Sequence, residues 1–310
     1  MTDTTLKSAL APEMPAPLLK EETPFQRFVS AFLDDKVAVF GLVTFAIIVA
    51  LAVLAPLIAP QNPYDLRAVD LMDSKQPPGE LATEGFRMWL GSDGVGRDLL
   101  SGILYGLRIS LMVGALSGII AASVGMTVGL IAAYAGGRVE NIIMRIVDLQ
   151  LSLPSILVAL ILVAGLGKGV DKIIIALVIV QWAYYARTVR GSALVERRKE
   201  YVEAAQSLGL SHARTVFRHI LPNCLAPVIV IATVQTAHAI SLEATLSFLG
   251  VGLPQTEPSL GVLIANGFQY MLSGKYWISV FPGLALLLTI VSINLVGDRL
   301  RDVLNPRLEK

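Results

Sequence analysis

Residues 37–59 carry no charged side chain and are built almost wholly from Val, Ala, Leu, Ile and Phe. At 1.5 Å per residue a helix of that length crosses a hydrocarbon core of about 30 Å. It is apolar all round, so it has no face to turn to water. Five further uncharged stretches repeat the pattern: 109–134, 149–166, 173–186, 220–242 and 277–296. The chain is 54% hydrophobic and 16% charged, with a mean hydropathy of +0.66, outside the range of ordinary soluble domains. The sequence therefore predicts an all-α fold, a polytopic membrane protein with six transmembrane helices.

The stretches are not equal. The third, 149–166, is expected to bend or break near Pro154. The fourth, 173–186, is short and needs Lys172 and Arg187 to snorkel toward the two interfaces. In the second, Gly114, Gly118, Gly125 and Gly129 form two small-xxx-small pairs that let another helix approach closely. The uncharged run 260–272 is too short and too rich in Gly and Asn to cross, and reads as an interfacial or re-entrant helix.

Charge sets the orientation. With both termini in the cytoplasm, seventeen Lys and Arg residues lie inside and seven outside, with Arg108 at a boundary. Seven of the inner set crowd the loop 187–219. The expected organisation is a cytoplasmic segment 1–36, a first transmembrane helix 37–59, an extracytoplasmic loop 60–107, a core 108–300 with five transmembrane helices, and a cytoplasmic tail 301–310. The first 24 residues, polar and holding Pro12, Pro15, Pro17 and Pro24, read as a disordered tail, not a cleavable signal peptide. Thr23-Pro24-Phe25-Gln26 has the residues of a capping box with proline at the first helical position. Phe25, Phe28, Val29, Phe32 and Leu33 then make an amphipathic stripe, for a helix lying on the membrane surface or packed on the protein's own flank.

A net charge of +1 gives no indication of nucleic acid binding, and the single cysteine, Cys224, excludes an internal disulfide or a cysteine metal cluster. The glycine-rich segment from Trp89 to Asp98 reads as a turn leading into the second span, with an anion cradle as the lesser alternative. The run Gly165-Leu166-Gly167-Lys168-Gly169 lacks the Ser/Thr and the strand-to-helix setting of a phosphate loop, so no ATP site of the usual kind is expected.

The loop before the fifth span carries a distinctive pattern. Residues 201–208, with Glu203, Ala204 and Ala205, read as a short helix whose alanines present a flat face, ended by Gly209 in a left-handed cap. Ser211 caps a second helix running through Arg214 and Arg218 into Leu221-Pro222 at the membrane. A rigid hairpin would thus project from the bilayer between two spans.

Glu203-Ala204-Ala205, Gly209 and Leu221-Pro222 resemble the signature loop of bacterial ABC importer permeases. The strict pattern has Ile where this chain has His219, with Ile displaced to 220, as in the dipeptide/oligopeptide branch. Three further stretches resemble the second, C-type permease of that branch. They are Trp89 to Asp98 with Arg108 to Leu111, Glu243 to Gly250, and Gly297 to Asp302 with Asn305-Pro306-Arg307. The resemblance implies an inner-membrane transport subunit, not an enzyme, with no cofactor and no bound metal. It also implies a homologous second permease, two cytoplasmic ATP-binding subunits and an extracytoplasmic solute-binding protein as partners. The coupling residues would be Glu203, Ala204, Ala205, Gly209, Leu221 and Pro222. Short peptides are the implied cargo, with nickel, glutathione or another small solute as alternatives within the same branch.

Gln235, His238 and Ser241 give the fifth span a mixed polar face, and Gln235, His238 and Glu243 are candidates for a translocation path, since ionisable groups at membrane depth face a cavity or a partner; the alternative for His238 and Glu243 is a buried hydrogen-bonded pair holding helices together. Three rival classes remain: an intramembrane enzyme built on His238, Glu243, Asp148, His212 and His219, an ion channel, and a purely structural membrane scaffold, which would not need the Glu203 to Gly209 hairpin. The enzyme has neither an H-E-x-x-H motif nor a nucleophile motif to support it.

Overall fold

The computed structural model describes residues 23–65 and 69–304. The proline-bearing tail ahead of residue 23, Arg67, and Asn305 to Lys310 lie outside the described residues. The elements are helical: α1 (Pro24–Leu33), α2 (Lys36–Ile58), α3 (Leu99–Ala135), α4 (Gly137–Ser152), α5 (Ser155–Leu166) and α6 (Val170–Glu196), then α7 (Glu200–Ser207), α8 (His212–Thr215), α9 (Leu221–Phe248), α10 (Leu260–Phe268) and α11 (Trp277–Val303). Five helical stretches are long and apolar enough to cross a bilayer, or six with the broken pair α4/α5 counted as one span.

The expected spans gain length wherever side chains pay for charge. Helix α3 begins at Leu99, ahead of the uncharged run and inside the segment expected as loop 60–107, because the Asp98 carboxylate caps it, accepting from the Ser101 amide at 2.7 Å. Helix α6 is no short fourth span but 27 residues long. It carries Arg187 and Arg190 within its last turns by pairing them with Asp148 and Glu140 of α4. The loop expected from 187 therefore begins only after Glu196.

The third span departs most from expectation. It is two helices meeting at 91° around Leu153-Pro154. Proline removes an amide and disfavours helix in the residue before it, which accounts for the break. Helix α4 starts well before 149, its charges hidden from a search for uncharged runs by those same ion pairs.

The core is assembled on α6. Gly125 and Gly129 let α3 approach its backbone so closely that an added Cβ would meet the Trp182 carbonyl oxygen at 2.4 Å and that of Ala186 at 2.5 Å. The other pair faces α9: a Cβ on Gly114 would lie 2.8 Å from Ile240. Both small-residue faces are thus consumed within this chain and do not require a partner subunit. Ala159 and Val163 of α5 join Ile173, Leu177 and Val180 of α6 and Leu242 and Leu246 of α9 in one apolar cluster.

The stretch 260–272 holds helix α10, whose Leu260 and Leu263 are buried against α3 and α11 and whose Val262 joins the apolar cluster of α5, α6 and α9. At the chain start the capping box forms, with Thr23 and Gln26 bonded reciprocally at 3.0 and 3.3 Å. Phe32 of α1 is buried and Arg299 of α11 donates to the Ala31 carbonyl, so α1 is tied to the protein's own flank. The described chain ends, α1 and the last turns of α11, consequently meet at one end of the bundle.

Replacing Gly125 with Leu should drive a side chain into the α6 backbone and destabilise the fold by about 1–3 kcal/mol or more. Gly165→Ala, where nothing lies within 4 Å of the new Cβ, should hold or slightly raise Tm in detergent. Equal unfolding temperatures for the two variants would show that the α3–α6 approach does not hold the bundle together.

Candidate coupling hairpin

Between α6 and α9 the chain forms a helix, a tight turn and a second helix. Gly209 sits at φ +72°, and the Leu210 amide donates to the Ala205 carbonyl at 3.2 Å, closing a left-handed helix cap of the Schellman type. The Ser211 hydroxyl caps α8 by accepting from the Arg214 amide at 3.4 Å. Helix α8 continues without interruption through 216–220 into α9, so 212–248 is one 37-residue helix.

The short helix α7 is two-sided. Val202 is 0% exposed and packs with Ile220 and Cys224 of the return helix and with Val189 and Ala193 of α6, and Ala205 is buried as well. Glu203 and Ala204 face outward, and Leu208 is 80% exposed. The two alanines therefore do not share one face. Ala204 presents a small surface to whatever docks there, while Ala205 lets α7 lie close on the core. Leu221 and Pro222 open α9, with Pro222 exposed.

The residues 216–220 form a π-turn, in which the Leu221 amide donates to the Val216 carbonyl five residues back. A π-turn holds one residue more than an α-turn. That accounts for the isoleucine displaced to 220: the wider turn absorbs the extra residue and returns Ile220 to the apolar cluster, 2% exposed.

Polar residues that the motif does not contain fasten this hairpin to the bundle. The Tyr201 hydroxyl donates to Glu196 Oε2 at 2.6 Å and accepts from Asn223 Nδ2 at 3.1 Å. Asn223 also donates to the His219 carbonyl at 2.8 Å, within the π-turn. Lys199 pairs with Glu196 at 2.6 Å. Partial burial, then the neighbouring Glu196 carboxylate, push the Tyr201 phenol up to about 12, so it stays a donor. On the other side Tyr134 of α3 bonds His212, and Arg197 lies over the Tyr134 ring while donating to the Ala133 carbonyl at 3.0 Å. The sequence signal for these contacts was present: a lone carboxylate at the end of α6, followed closely by a tyrosine.

The expected path residues do not converge. Glu243 is 0% exposed and accepts from Ser110 Oγ at 3.0 Å and Ser247 Oγ at 2.9 Å, bracing α9 against α3. Gln235 is buried, its carbonyl accepting from Gln181 at 3.0 Å. His238 is partly buried with Nδ1 unbonded. Two clefts open at opposite ends of the bundle and none of these three residues lines either. One of about 600 Å³ lies at the hairpin end, among Thr188, Pro227, Val230 and Asp298; the other, of about 450 Å³, is bordered by Asp93, Arg97, Gln255 and Tyr270. At that far end the glycine-rich segment is a turn wrapped around its own aspartate. Asp93 accepts from the amides of Val95 and Arg97 at 2.9 and 3.0 Å and pairs with the Arg97 side chain at 2.7 Å. The carboxylate fills the place that an anion would need.

Of the enzyme candidates, Asp148 is paired with Arg187 and His212 with Tyr134, at separate places on the bundle.

Residues 125–310 match the family model for the inner membrane component of binding-protein-dependent transport systems. The chain belongs to that family. Residues 23–78 also match the N-terminal transmembrane domain of oligopeptide transport permease C. The chain is 42% identical over 288 residues to the dipeptide transport system permease protein DppC of Escherichia coli strain K12, covering 93% of this chain and 95% of that one. It is 38% identical over 293 residues to the di/tripeptide transport system permease protein DppC of Pseudomonas aeruginosa, covering 94% and 95%. Among solved structures, the inward-facing MetNI methionine ABC transporter matches with a TM-score of 0.54 at 21% identity, covering 66% of this chain and 96% of that one, which shows a shared fold.

At Gly209 a β-branched residue meets a backbone that L side chains rarely adopt. Gly209→Val should therefore cost about 1–3 kcal/mol, felt locally because no atom lies within 4 Å of the new Cβ. Amide exchange should rise across 200–211 and stay unchanged in α3 and α6; uniform protection would show that the turn carries no strain.

Proposed function

We propose that the chain is the transmembrane permease subunit of an ABC importer for short peptides, set in the bacterial inner membrane with the hairpin and both termini in the cytoplasm. The observation that carries this reading is the two-sided α7. Its outer face, Glu203, Ala204 and Leu208, is open to a partner, while its inner face is fused to α6 and α9. A partner that grips the outer face and moves must move two spans with it. That is the task of a subunit driven from outside, and the chain has no phosphate loop with which to bind ATP itself. The proposed partners are two cytoplasmic ATP-binding subunits, a homologous second permease and an extracytoplasmic solute-binding protein. Hydrolysis belongs to the ATP-binding subunits, and this subunit does no catalysis.

The basic residues support the orientation. The hairpin end holds Arg187, Arg190, Arg197, Arg198, Lys199, Arg214 and Arg218. Relatives named as dipeptide and di/tripeptide permeases along almost their whole length support peptides over nickel or glutathione as cargo. Within the path proposed along α9, Glu243 serves as a brace held by Ser110 and Ser247, and His238 is the member with an unfilled hydrogen-bonding nitrogen.

The test is import by the assembled complex in proteoliposomes, with the binding protein and peptide supplied outside the vesicles and ATP in the lumen, which stands for the cytoplasm. Glu203→Lys, exposed and far from any span, should leave insertion intact while uptake of a labelled dipeptide falls about tenfold, through lost ATPase attachment or uncoupled hydrolysis. Wild-type attachment together with wild-type uptake would reduce the hairpin to a connector. For the cargo, a binding protein that takes a metal chelate and no di- or tripeptide would refute the peptide reading and leave the importer reading standing.

A further inference from the structure

We propose that Tyr201 is a positioning residue for coupling: with Glu196 and Asn223 it forms the joint through which displacement of the hairpin reaches α6 and α9. The proposal rests on the permease reading above.

The geometry carries it. Three residues from three elements meet at one hydroxyl: Glu196 closes α6, Tyr201 opens α7, and Asn223 sits in the first turn of α9. The hydroxyl uses its one proton on Glu196 and a lone pair on Asn223, so at the hairpin end it links α6 to α9, whose other bond, from Gln181 to the Gln235 carbonyl, lies farther along both helices. Asn223 in turn holds the His219 carbonyl in the π-turn, and the Tyr201 hydroxyl lies 3.4 Å from that same oxygen. A π-turn spaces its backbone bonds more widely than an α-turn, and such turns are frequent at functional sites. Here side chains from both directions pin the one place where 212–248 departs from a regular α-helix.

Val202 of α7 also packs in the apolar cluster with Ile220, Cys224, Val189 and Ala193. Such contacts hold α7 down but permit it to slide or roll, because burial is non-directional. The hydrogen bonds at Tyr201 fix its register. Without them the partner's stroke would be spent partly on moving α7 over the apolar cluster, and hydrolysis would continue with less movement of the spans. The motif residues Glu203, Ala204 and Gly209 form the grip; Tyr201 and Asn223 pass the motion on.

Tyr201→Phe removes the hydroxyl and keeps the ring. In the assembled complex with both ATP-binding subunits, co-purified ATPase should stay at the wild-type ratio and dipeptide-stimulated hydrolysis within about twofold of wild type. Peptide imported per ATP hydrolysed should drop about fivefold, in keeping with the loss of one charge-assisted hydrogen bond. Asn223→Ala should lower the same ratio, and the double variant should be no worse than the stronger single one, because both act at one oxygen. A merely stabilising role would lower complex yield and leave the ratio of peptide to ATP untouched.

The proposal is overturned if Tyr201→Phe keeps the wild-type ratio, if it sheds the ATP-binding subunits, or if the two variants add. Should Tyr201→Phe itself fail to fold or insert, Asn223→Ala decides alone on the same ratio, an unchanged value refuting the joint. Failure of the wild-type chain to hold ATP-binding subunits or to import peptide would instead refute the permease reading, so the two failures are separable.

Discussion

Lipid offers no hydrogen bonds, and each unpaired backbone group exposed to it costs several kcal/mol. Everything in this fold follows from meeting that demand within helices and then packing the helices without a hydrophobic drive to bring them together. Helix α6 solves the second problem. Its backbone is approached by α3 across Gly125 and Gly129, its apolar side packs with α5 and α9, and its two arginines hold α4 by ion pairs. The helix that looked weakest in sequence is therefore the spine of the bundle. Its uncharged part is short because about half of it is buried against neighbouring helices and does not need an apolar coat.

The same reasoning explains what was readable from sequence. Long apolar helices facing lipid have only one way to be satisfied, and α2, α9 and α11 fall where uncharged runs put them. Local chemistry was equally legible: the Thr23 capping box, the left-handed Gly209 and the Ser211 cap each involve residues within a few positions of one another. Helix α4 was not legible, because its charges are neutralised by Arg187 and Arg190, about forty to fifty residues away. Nor was the use of the glycine faces. A small-xxx-small pattern says that something approaches closely, not whether it is the same chain.

The site divides along the same line. Glu203 and Gly209 carry local signals, whereas the split between outward Ala204 and inward Ala205 depends on where α7 lies relative to α6. Gln235, His238 and Glu243 shared a span in sequence but not a face. Five positions apart on a helix, His238 and Glu243 point about 140° away from each other at 100° per residue. Glu243 consequently reaches Ser110 of α3 while His238 does not.

Why a transport subunit should place a polar joint where α7 meets its spans, and not more apolar packing, follows from the kinds of force available. Apolar burial resists separation, yet its energy changes little when one smooth face slides over another. A hydrogen bond loses most of its strength once its angle or length leaves a narrow range. Val202 is therefore suited to keeping α7 on the bundle, and the Tyr201 hydroxyl to fixing where on the bundle it sits. The location permits this. At the end of α6, Lys199 and partial solvent contact stabilise the Glu196 carboxylate, whereas the same carboxylate a few turns deeper would need a cage like that of Glu243. The charged joint thus sits as near the membrane as a charge is cheaply held, which places it one turn from the helices it has to move.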